Sequence, residues 1–312
     1  MLISVIIPHY NGIDHLQTCL TALREQTYPD IEVILADNGS QDESVAFVQE
    51  NFPAVRVLEL GHNLGLATAI NRATRIAQGD IIAPLNNDTE VAPQWAEALV
   101  QRLNEFPEAG IVASKMLLFD QRNTLHSAGD GFGRDGIPVN RGVWQKDEGQ
   151  FDNDTYIFGG CGGAVAYRRT MLDEIGLFDE DLFMYLEDVD LNWRAQLAGY
   201  KAVFAPNAVV YHHLSATGGG AFASYYTGRN TILVLLKALP APLLRKYWPQ
   251  IIRAQLNISY DALKAWRGEA ARARLKGQLT ALAHMPRWLS KRRKVQQQTH
   301  IDADVWEQLI EQ

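Results

Sequence analysis

Residues 80–88 read Asp80-Ile81-Ile82-Ala83-Pro84-Leu85-Asn86-Asn87-Asp88, an apolar run that breaks into two amides and a carboxylate. A short, continuous apolar run is what a strand covered on both faces looks like, as in a parallel sheet. A carboxylate just past the C-terminal end of such a strand lies where open α/β sheets bind ligands. Oxygen-rich side chains there suit a hard divalent cation, which keeps several waters and bridges to phosphate oxygens. A polar strand-to-loop turn would explain the same residues, so the flanking chain has to decide.

Working outward, short β-branched runs alternate with helical stretches. Strands are expected at Ile3–Ile7, Ile31–Ala36, Val55–Glu59, Ile81–Leu85 and from Ile111. Helices are expected at His15–Gln26, Ser40–Asn51, Gly65–Gln78 and Pro93–Phe106. This alternation predicts βαβ units and a mostly parallel sheet with helices on both faces. From Lys115 to Asp154 the pattern dissolves into Gly, Asp and Asn, which reads as an irregular excursion over the active face. Gly159-Gly160-Cys161-Gly162-Gly163 then allows close backbone approach. A helix is expected at Arg169–Ile175 and another at Tyr185–Gly199, followed by short strands at Ala202–Ala205 and Ala208–Tyr211 that end at His212-His213.

The chain has 312 residues, enough for one large domain and an appendage. Its 47% hydrophobic and 21% charged content is ordinary for a globular protein. Two cysteines, Cys19 and Cys161, lack metal-ligand spacing and suggest a reducing compartment. The N-terminus lacks a basic leader and reads as a first strand, and no apolar stretch has the roughly 18–20 residues of a membrane span. The expected location is cytoplasmic, peripheral to the inner face of the cell membrane.

Net charge of −7 conceals an asymmetry. Residues 1–228 hold 14 Lys/Arg against 30 Asp/Glu, whereas residues 229–294 hold 15 Lys/Arg against Asp261 and Glu269 alone. The basic stretch carries Leu, Ile, Trp and Tyr at helical spacing, as in Leu243-Leu244-Arg245-Lys246-Tyr247-Trp248 and Trp288-Leu289-Ser290-Lys291. Such amphipathic helices suit an anionic membrane surface. Packing on the catalytic region or on a second subunit of a homo-oligomer is the competing expectation. Nucleic acid is excluded as a partner, since no recognised motif is present and the acidic region would repel phosphate.

Three clusters stand far apart in sequence, each at an element edge: Asn87-Asp88, Glu187-Asp188 and His212-His213. Together with Val5-Ile6-Ile7-Pro8-His9-Tyr10-Asn11-Gly12, Ala36-Asp37-Asn38-Gly39-Ser40, Asn63-Leu64-Gly65-Leu66-Ala67, Gly176-Leu177-Phe178-Asp179-Glu180, Trp193-Arg194 and Thr217, they make the chain resemble a family 2 glycosyltransferase of the GT-A fold. Bacterial rhamnosyltransferase-like cell-envelope enzymes are the relatives it most suggests. The resemblance spans about residues 2–235.

It implies a Rossmann-like GT-A domain over 1–228, with a nucleotide-sugar half at about 1–114 and an acceptor half at about 115–228. Residues 229–312 would form a basic helical appendage with an acidic tail. It further implies that Pro8, Tyr10, Asn11, Asp37, Asn63, Gly65, Asn86 and Asn87 line the nucleotide-sugar site, with Asp37 accepting from the imide N–H of uracil or thymine. Asn86-Asn87-Asp88 stands where the family has its DxD motif, the first aspartate replaced by an amide. Asp88 and His212, with His213 as the neighbouring alternative, would ligate Mg²⁺ or Mn²⁺. Asp188 would be the general base with Glu187 beside it, and Gly160, Cys161, Gly162, Trp193 and Arg194 would lie on the acceptor side. The implied reaction is inverting transfer from a UDP- or dTDP-sugar, with dTDP-rhamnose a candidate, to a glycan or lipid-linked acceptor. The competing class is a non-catalytic, membrane-associated nucleotide-sugar binder. A dinucleotide dehydrogenase is excluded because the first strand lacks the G-x-G-x-x-G turn.

Overall fold

The computed structural model describes residues 1–213 and 219–299, with Val305, Glu307 and Ile310 beyond them. Thr217 lies outside the described residues. Strands β1 (Ile3–His9), β2 (Ile31–Asp37), β3 (Arg56–Glu59) and β4 (Ile81–Pro84) alternate with helices α1 (Ile13–Arg24), α2 (Ser44–Asn51) and α3 (Leu66–Ile76). Next come β5 (Thr89–Val91), α4 (Trp95–Glu105) and β6 (Ala109–Leu118), then the short β7 (Leu125–Ser127), β8 (Asp130–Phe132), β9 (Pro138–Asn140) and β10 (Tyr156–Ile157). The chain continues through β11 (Val165–Arg168), α5 (Arg169–Ile175), α6 (Glu187–Leu197) and β12 (Lys201–His212). Three long helices close it: α7 (Gly220–Ala238), α8 (Ala241–Lys264) and α9 (Glu269–Gln297).

The main sheet runs β10-β12-β6-β11-β4-β1-β2-β3, with β5 added to β12 and β7 to β6. β1, β2, β3 and β4 are parallel, as are β6 and β12, while β11 sits antiparallel between β4 and β6. Strand alternation explains the layers. Ile3, Val5 and Ile7 of β1 face a core shared with Leu16 and Leu20 of α1 and Trp95 and Leu99 of α4. Ile6, Ile34 and Ile82 face the opposite core, with Ala69 and Ile70 of α3 and Leu191 of α6. Both faces are therefore buried, as the uninterrupted apolar runs require.

The excursion expected over 115–154 is instead built of ordered strands. β6 continues to Leu118, and Gly129, Gly136 and Gly142 supply positive-φ turns between three-residue strands too short to show a period. The two strands expected near 202–211 are one, β12, with a register shift between Ala205 and Val209 where Pro206 has no amide hydrogen to give.

The C-terminal helices share a third core with the sheet-bearing region. Phe132, Phe158 and Trp193 pack with Leu233 of α7 and Trp288 of α9. Trp288, expected at a membrane interface, is 2% exposed. Lys237 reaches Asp179 and Asp190, each at 2.7 Å, while Lys291 and Arg287 pair with Asp179 and Asp181. Part of the basic charge of 229–294 thus neutralises acids of the domain below it. Those acids answer in turn: the neighbouring lysines pull the Asp179 carboxyl down to about 2 despite its burial. Among the described residues no helix is long and apolar enough to cross a membrane.

Candidate active site

The ends of β1, β2 and β4 bring the first polar groups together. His9 pairs in register with Asp37, and the Leu85 N–H donates to the Ile6 carbonyl before the chain turns at Asn86. Asp88 is buried, yet its Oδ1 receives no hydrogen bond. His212 Nε2 lies 3.2 Å from that oxygen, brought there because β5 pairs with β12 and sets His212 opposite Thr89. Asn86 Nδ2 is 3.5 Å from the same Nε2. On the ring's other side, His212 Nδ1 meets His126 Nδ1 at 3.1 Å. Burial and His212 lower the pKa of His126 to about 4, so it is neutral at physiological pH. A carboxylate oxygen that receives no hydrogen bond thus faces an imidazole nitrogen, a pair that suits a divalent cation. The ring–ring bond is the kind of outer contact that orients an imidazole ligand.

His213, the alternative to His212, points elsewhere. Its ring stacks on Phe119 at 3.6 Å and lies 4.7 Å from His15, and its backbone N–H donates to the Asp88 carbonyl. Asn87 donates from Nδ2 to His9 Nδ1 at 2.9 Å, which pins the turn to β1. Burial holds the pKa of His9 below its ordinary value, in keeping with its acceptor role.

A second wall comes from the loops after β1 and β2. Asp37 accepts the N–H groups of Gly39 and Ser40, and Asn11 accepts that of Gln41 while Ser40 Oγ accepts the Asn11 N–H. Tyr10 stands 39% exposed beside them. Asn38 ties this wall to the next loop by donating to Asn63 Oδ1 and accepting from Leu64 N–H.

Two carboxylates, Glu187 and Asp188, open α6. Asp188 accepts from Gly162 N–H at 2.7 Å and from Val189 N–H at 2.8 Å. Gly163 carbonyl accepts the Asn86 N–H at 2.9 Å. Consecutive glycines therefore join the Asn86–Asp88 corner to Asp188. A Cβ on Gly162 would stand 2.9 Å from Asp188 Oδ2, so the approach needs glycine. Glu187 is buried with Oε2 unpartnered, and burial, then Asp188, raise its pKa to about 8. Asp188 is raised by burial, against the pull of its backbone donors. Asp130 and Cys161 stand beside it, their ligand atoms and that of Asp188 all within 4.8 Å of one another. Burial, then the Asp188 charge, push the Asp130 carboxyl well above the ordinary carboxylate range.

A polar corner at the ends of β1, β2 and β4, joined to a buried carboxylate pair on a mostly parallel sheet, is the arrangement the resemblance implies. Residues 4–176 match the family described as Glycosyl transferase family 2. The chain belongs to glycosyltransferase family 2. An N-acetylglucosaminyl-diphospho-decaprenol L-rhamnosyltransferase of Mycobacterium tuberculosis is 30% identical over 254 residues, covering 73% of this chain and 81% of the relative. The O-antigen biosynthesis protein RfbC of Myxococcus xanthus is 29% identical over 69% of this chain, which spans 17% of that relative. Among solved structures, mannosyltransferase PcManGT from Pyrobaculum calidifontis, in complex with GDP-Man and Mn²⁺, superposes with a TM-score of 0.59 at 20% identity, covering 94% of this chain and 84% of that one. S. aureus TarS 1–349 gives 0.58 at 17% identity over 95% and 90%. These likenesses carry the GT-A fold, so the expected fold class holds.

Several expectations for this glycosyltransferase need correction. Trp193 is fully buried among Phe132 and Phe158, and cannot face an acceptor. Arg194 is 6% exposed, paired with Asp190 and donating to the carbonyls of Ile175, Gly176 and Leu177, where it caps α5. The reason is helical period: from Asp188 the same face returns at Asn192, which donates to the Gly160 carbonyl, whereas Trp193 lies well round the helix. Gly160 is a packing glycine, because a Cβ there would stand 2.4 Å from Val165. Gly65 is required by Phe183, which a Cβ would meet at 2.6 Å. Three residues escaped the sequence reading: Asn38, His126 and Asp130. His126 and Asp130 lie in the glycine-rich stretch, where only an unexplained imidazole and acid marked them.

Proposed function

We propose that this glycosyltransferase moves a sugar from a UDP- or dTDP-linked donor to a hydroxyl of a glycan or lipid-linked acceptor, with inversion at the anomeric carbon. The observation that carries it is the glycine junction: Gly162 and Gly163 bond Asp188 and Asn86 respectively, so base and diphosphate corner are neighbours. Asp88 and His212 would hold Mg²⁺ or Mn²⁺, consistent with the orphaned Asp88 Oδ1. When bound, the cation supplies charge stabilisation for the leaving diphosphate. If His126 accepts from His212 Nδ1–H, Nε2 turns its lone pair toward the Asp88 oxygen, two electron-rich atoms that a cation reconciles.

Asp188 takes the acceptor's proton as the hydroxyl oxygen bonds to the anomeric carbon. The bond from that carbon to the phosphate oxygen breaks, and its electron pair leaves with the nucleoside diphosphate. Two backbone donors fix the carboxylate's direction, which is the positioning that general base catalysis needs. Pro8, Tyr10, Asn11, Asp37, Asn63, Asn86 and Asn87 would border the nucleotide, with Asp37 reading the imide. Cys161 and Gly162 would border the acceptor.

Cell-envelope polysaccharide synthesis is the setting we favour, given the rhamnosyltransferase and O-antigen relatives. Attachment to the cytoplasmic membrane face is supported by an apolar ridge on α8, which buries Leu243, Tyr247 and Ile251 and exposes Trp248, Ile252, Leu256, Tyr260 and Leu263 on the other side. Arg245, Arg253 and Lys264 flank that ridge. A second copy would bring the same positive charge, which disfavours a dimer through this face. Cosedimentation with vesicles containing phosphatidylglycerol should fall at least about tenfold in the triple variant Trp248→Ser, Ile252→Ser, Leu256→Ser, since each loses apolar burial worth about 1.5–3 kcal/mol. Equal binding by the variant would remove the membrane role of α8.

Melting temperature measured with UDP, dTDP, GDP or CMP, each with and without Mn²⁺, tests the donor site, because a ligand of the folded state stabilises by mass action. A rise with UDP or dTDP that is larger with Mn²⁺ is expected. No rise with any nucleotide would overturn the assignment.

A further inference from the structure

The Glu187–Asp188 pair is delivered by a segment of strained backbone. Phe183, Tyr185 and Leu186 all have positive φ, at 67°, 69° and 66°, which residues with a Cβ seldom adopt. That winding turns successive carbonyls inward, toward α7. There a single buried amide receives them: Asn230, 0% exposed, donates from Nδ2 to the carbonyls of Leu182 at 3.0 Å, Met184 at 2.9 Å and Tyr185 at 2.6 Å. Asn230 is itself fixed by Arg229, whose Nε donates to its Oδ1 at 2.9 Å. The Arg229 guanidinium also donates to the carbonyls of Asp181 and Leu182. On the opposite side, Ala67 N–H donates to the Phe183 carbonyl at 3.2 Å, across the space Gly65 leaves open.

We propose that Arg229 and Asn230 are positioning residues for catalysis: from the C-terminal helix α7 they hold the left-handed loop 183–186, and so set where the α6 N-terminus presents Asp188. The proposal rests on the reading of Asp188 as the base. It gives α7 a task in the reaction besides packing. Neither side chain is placed on substrate; both act through peptide carbonyls. An asparagine suits this place because its Nδ2 carries two hydrogens and its Oδ1 can accept from a neighbour. Aspartate has the same shape, but it would set a negative oxygen against these carbonyls in a buried place and take the amide donor from those of Met184 and Tyr185.

The test compares wild type with Asn230→Asp, Asn230→Ala and Arg229→Met by steady-state transfer kinetics, nucleotide affinity, and amide hydrogen exchange. In every variant that folds, kcat should fall about 10–100-fold, since displacement of a catalytic group by about 1 Å costs that much. Nucleotide affinity should stay within about twofold, because the β1–β4 corner is untouched, and exchange should quicken at 182–188 while β1 and β4 keep wild-type protection. Arg229→Met is the mildest change and carries the test should the Asn230 variants not fold. Unchanged kcat and unchanged exchange at 182–188 would overturn the proposal. So would kcat and nucleotide affinity falling together with faster exchange throughout, the pattern of a merely structural role. A wild-type protein that transfers no sugar would count against the function instead, and the exchange pattern would still decide whether α7 holds the loop.

Discussion

Asp188→Asn is expected to lower kcat by about 10²–10⁴-fold, the range that a positioned general base contributes, with nucleotide affinity unchanged. Asparagine keeps the shape of the carboxylate and an oxygen for the Gly162 N–H, so the glycine junction survives. Its NH₂ group would face the second backbone donor, which costs about 1–3 kcal/mol for an unpaired buried donor. The change also removes negative charge beside Glu187 and Asp130, whose carboxyls Asp188 pushes up. Offsetting terms keep the melting temperature close to wild type. The pH profile gives an independent check. With the Asp188 carboxyl raised by burial, wild-type activity should fall on the acid side at a pH above the ordinary carboxylate range, as the base becomes protonated. That limb should vanish from the residual activity of the variant. Stability should move with pH too. Glu187 titrates near 8 when folded and near its ordinary value when unfolded, so the folded state binds more protons in between. Stability is therefore greatest below the unfolded value and falls as pH rises toward 8. A variant retaining more than a tenth of wild-type kcat would remove Asp188 from the base role.

The second large effect belongs to Asp88. Asp88→Ala should weaken Mn²⁺-supported nucleotide binding by at least about 100-fold, since losing even an outer partner of a metal ligand costs 10–100-fold. Without metal the expectation reverses. Asp88 is a buried carboxylate with one oxygen that nothing donates to, so its removal relieves a desolvation cost. The metal-free variant should melt no lower than metal-free wild type. Separate titrations of Mn²⁺ and nucleotide followed by calorimetry distinguish the cases. Nucleotide binding equally strengthened by Mn²⁺ in wild type and variant would show that Asp88 does not hold the cation.

The parts of the molecule that were legible share a physical cause. β1, β2 and β4 are buried on both faces, which forces unbroken apolar runs, and their polar ends stand out against them. Asn86–Asp88 was visible for that reason, and Glu187–Asp188 as an acidic pair in the first turn of α6. The stretch 115–154 was not, because strands of three residues leave no period and their register comes from partners distant in sequence. His126 and Asp130 gain meaning only from His212 and Asp188, many residues away. Trp193 and Arg194 were misplaced by adjacency to the acidic pair, where the helical period points to Asn192. The basic C-terminal stretch read as one amphipathic surface, but its charges divide. Lys237 and Lys291 are spent on Asp179 and Asp190, while the outer side of α8 keeps its exposed tryptophan and aliphatic residues. Charge counts cannot separate these, since α7, α8 and α9 carry paired and exposed residues along one basic stretch.

Sugar transfer itself is tested most directly by mass spectrometry of acceptors. Purified protein would be incubated with Mn²⁺, each of a panel of UDP-, dTDP- and GDP-sugars, and lipid-linked glycan acceptors extracted from membranes. One donor should add a single sugar mass to an acceptor, releasing one nucleoside diphosphate per sugar added, and the Asp188→Asn protein should bind that donor without the mass gain. Donor binding with no mass gain from any combination in the wild-type protein would contradict catalysis and leave a nucleotide-sugar binder.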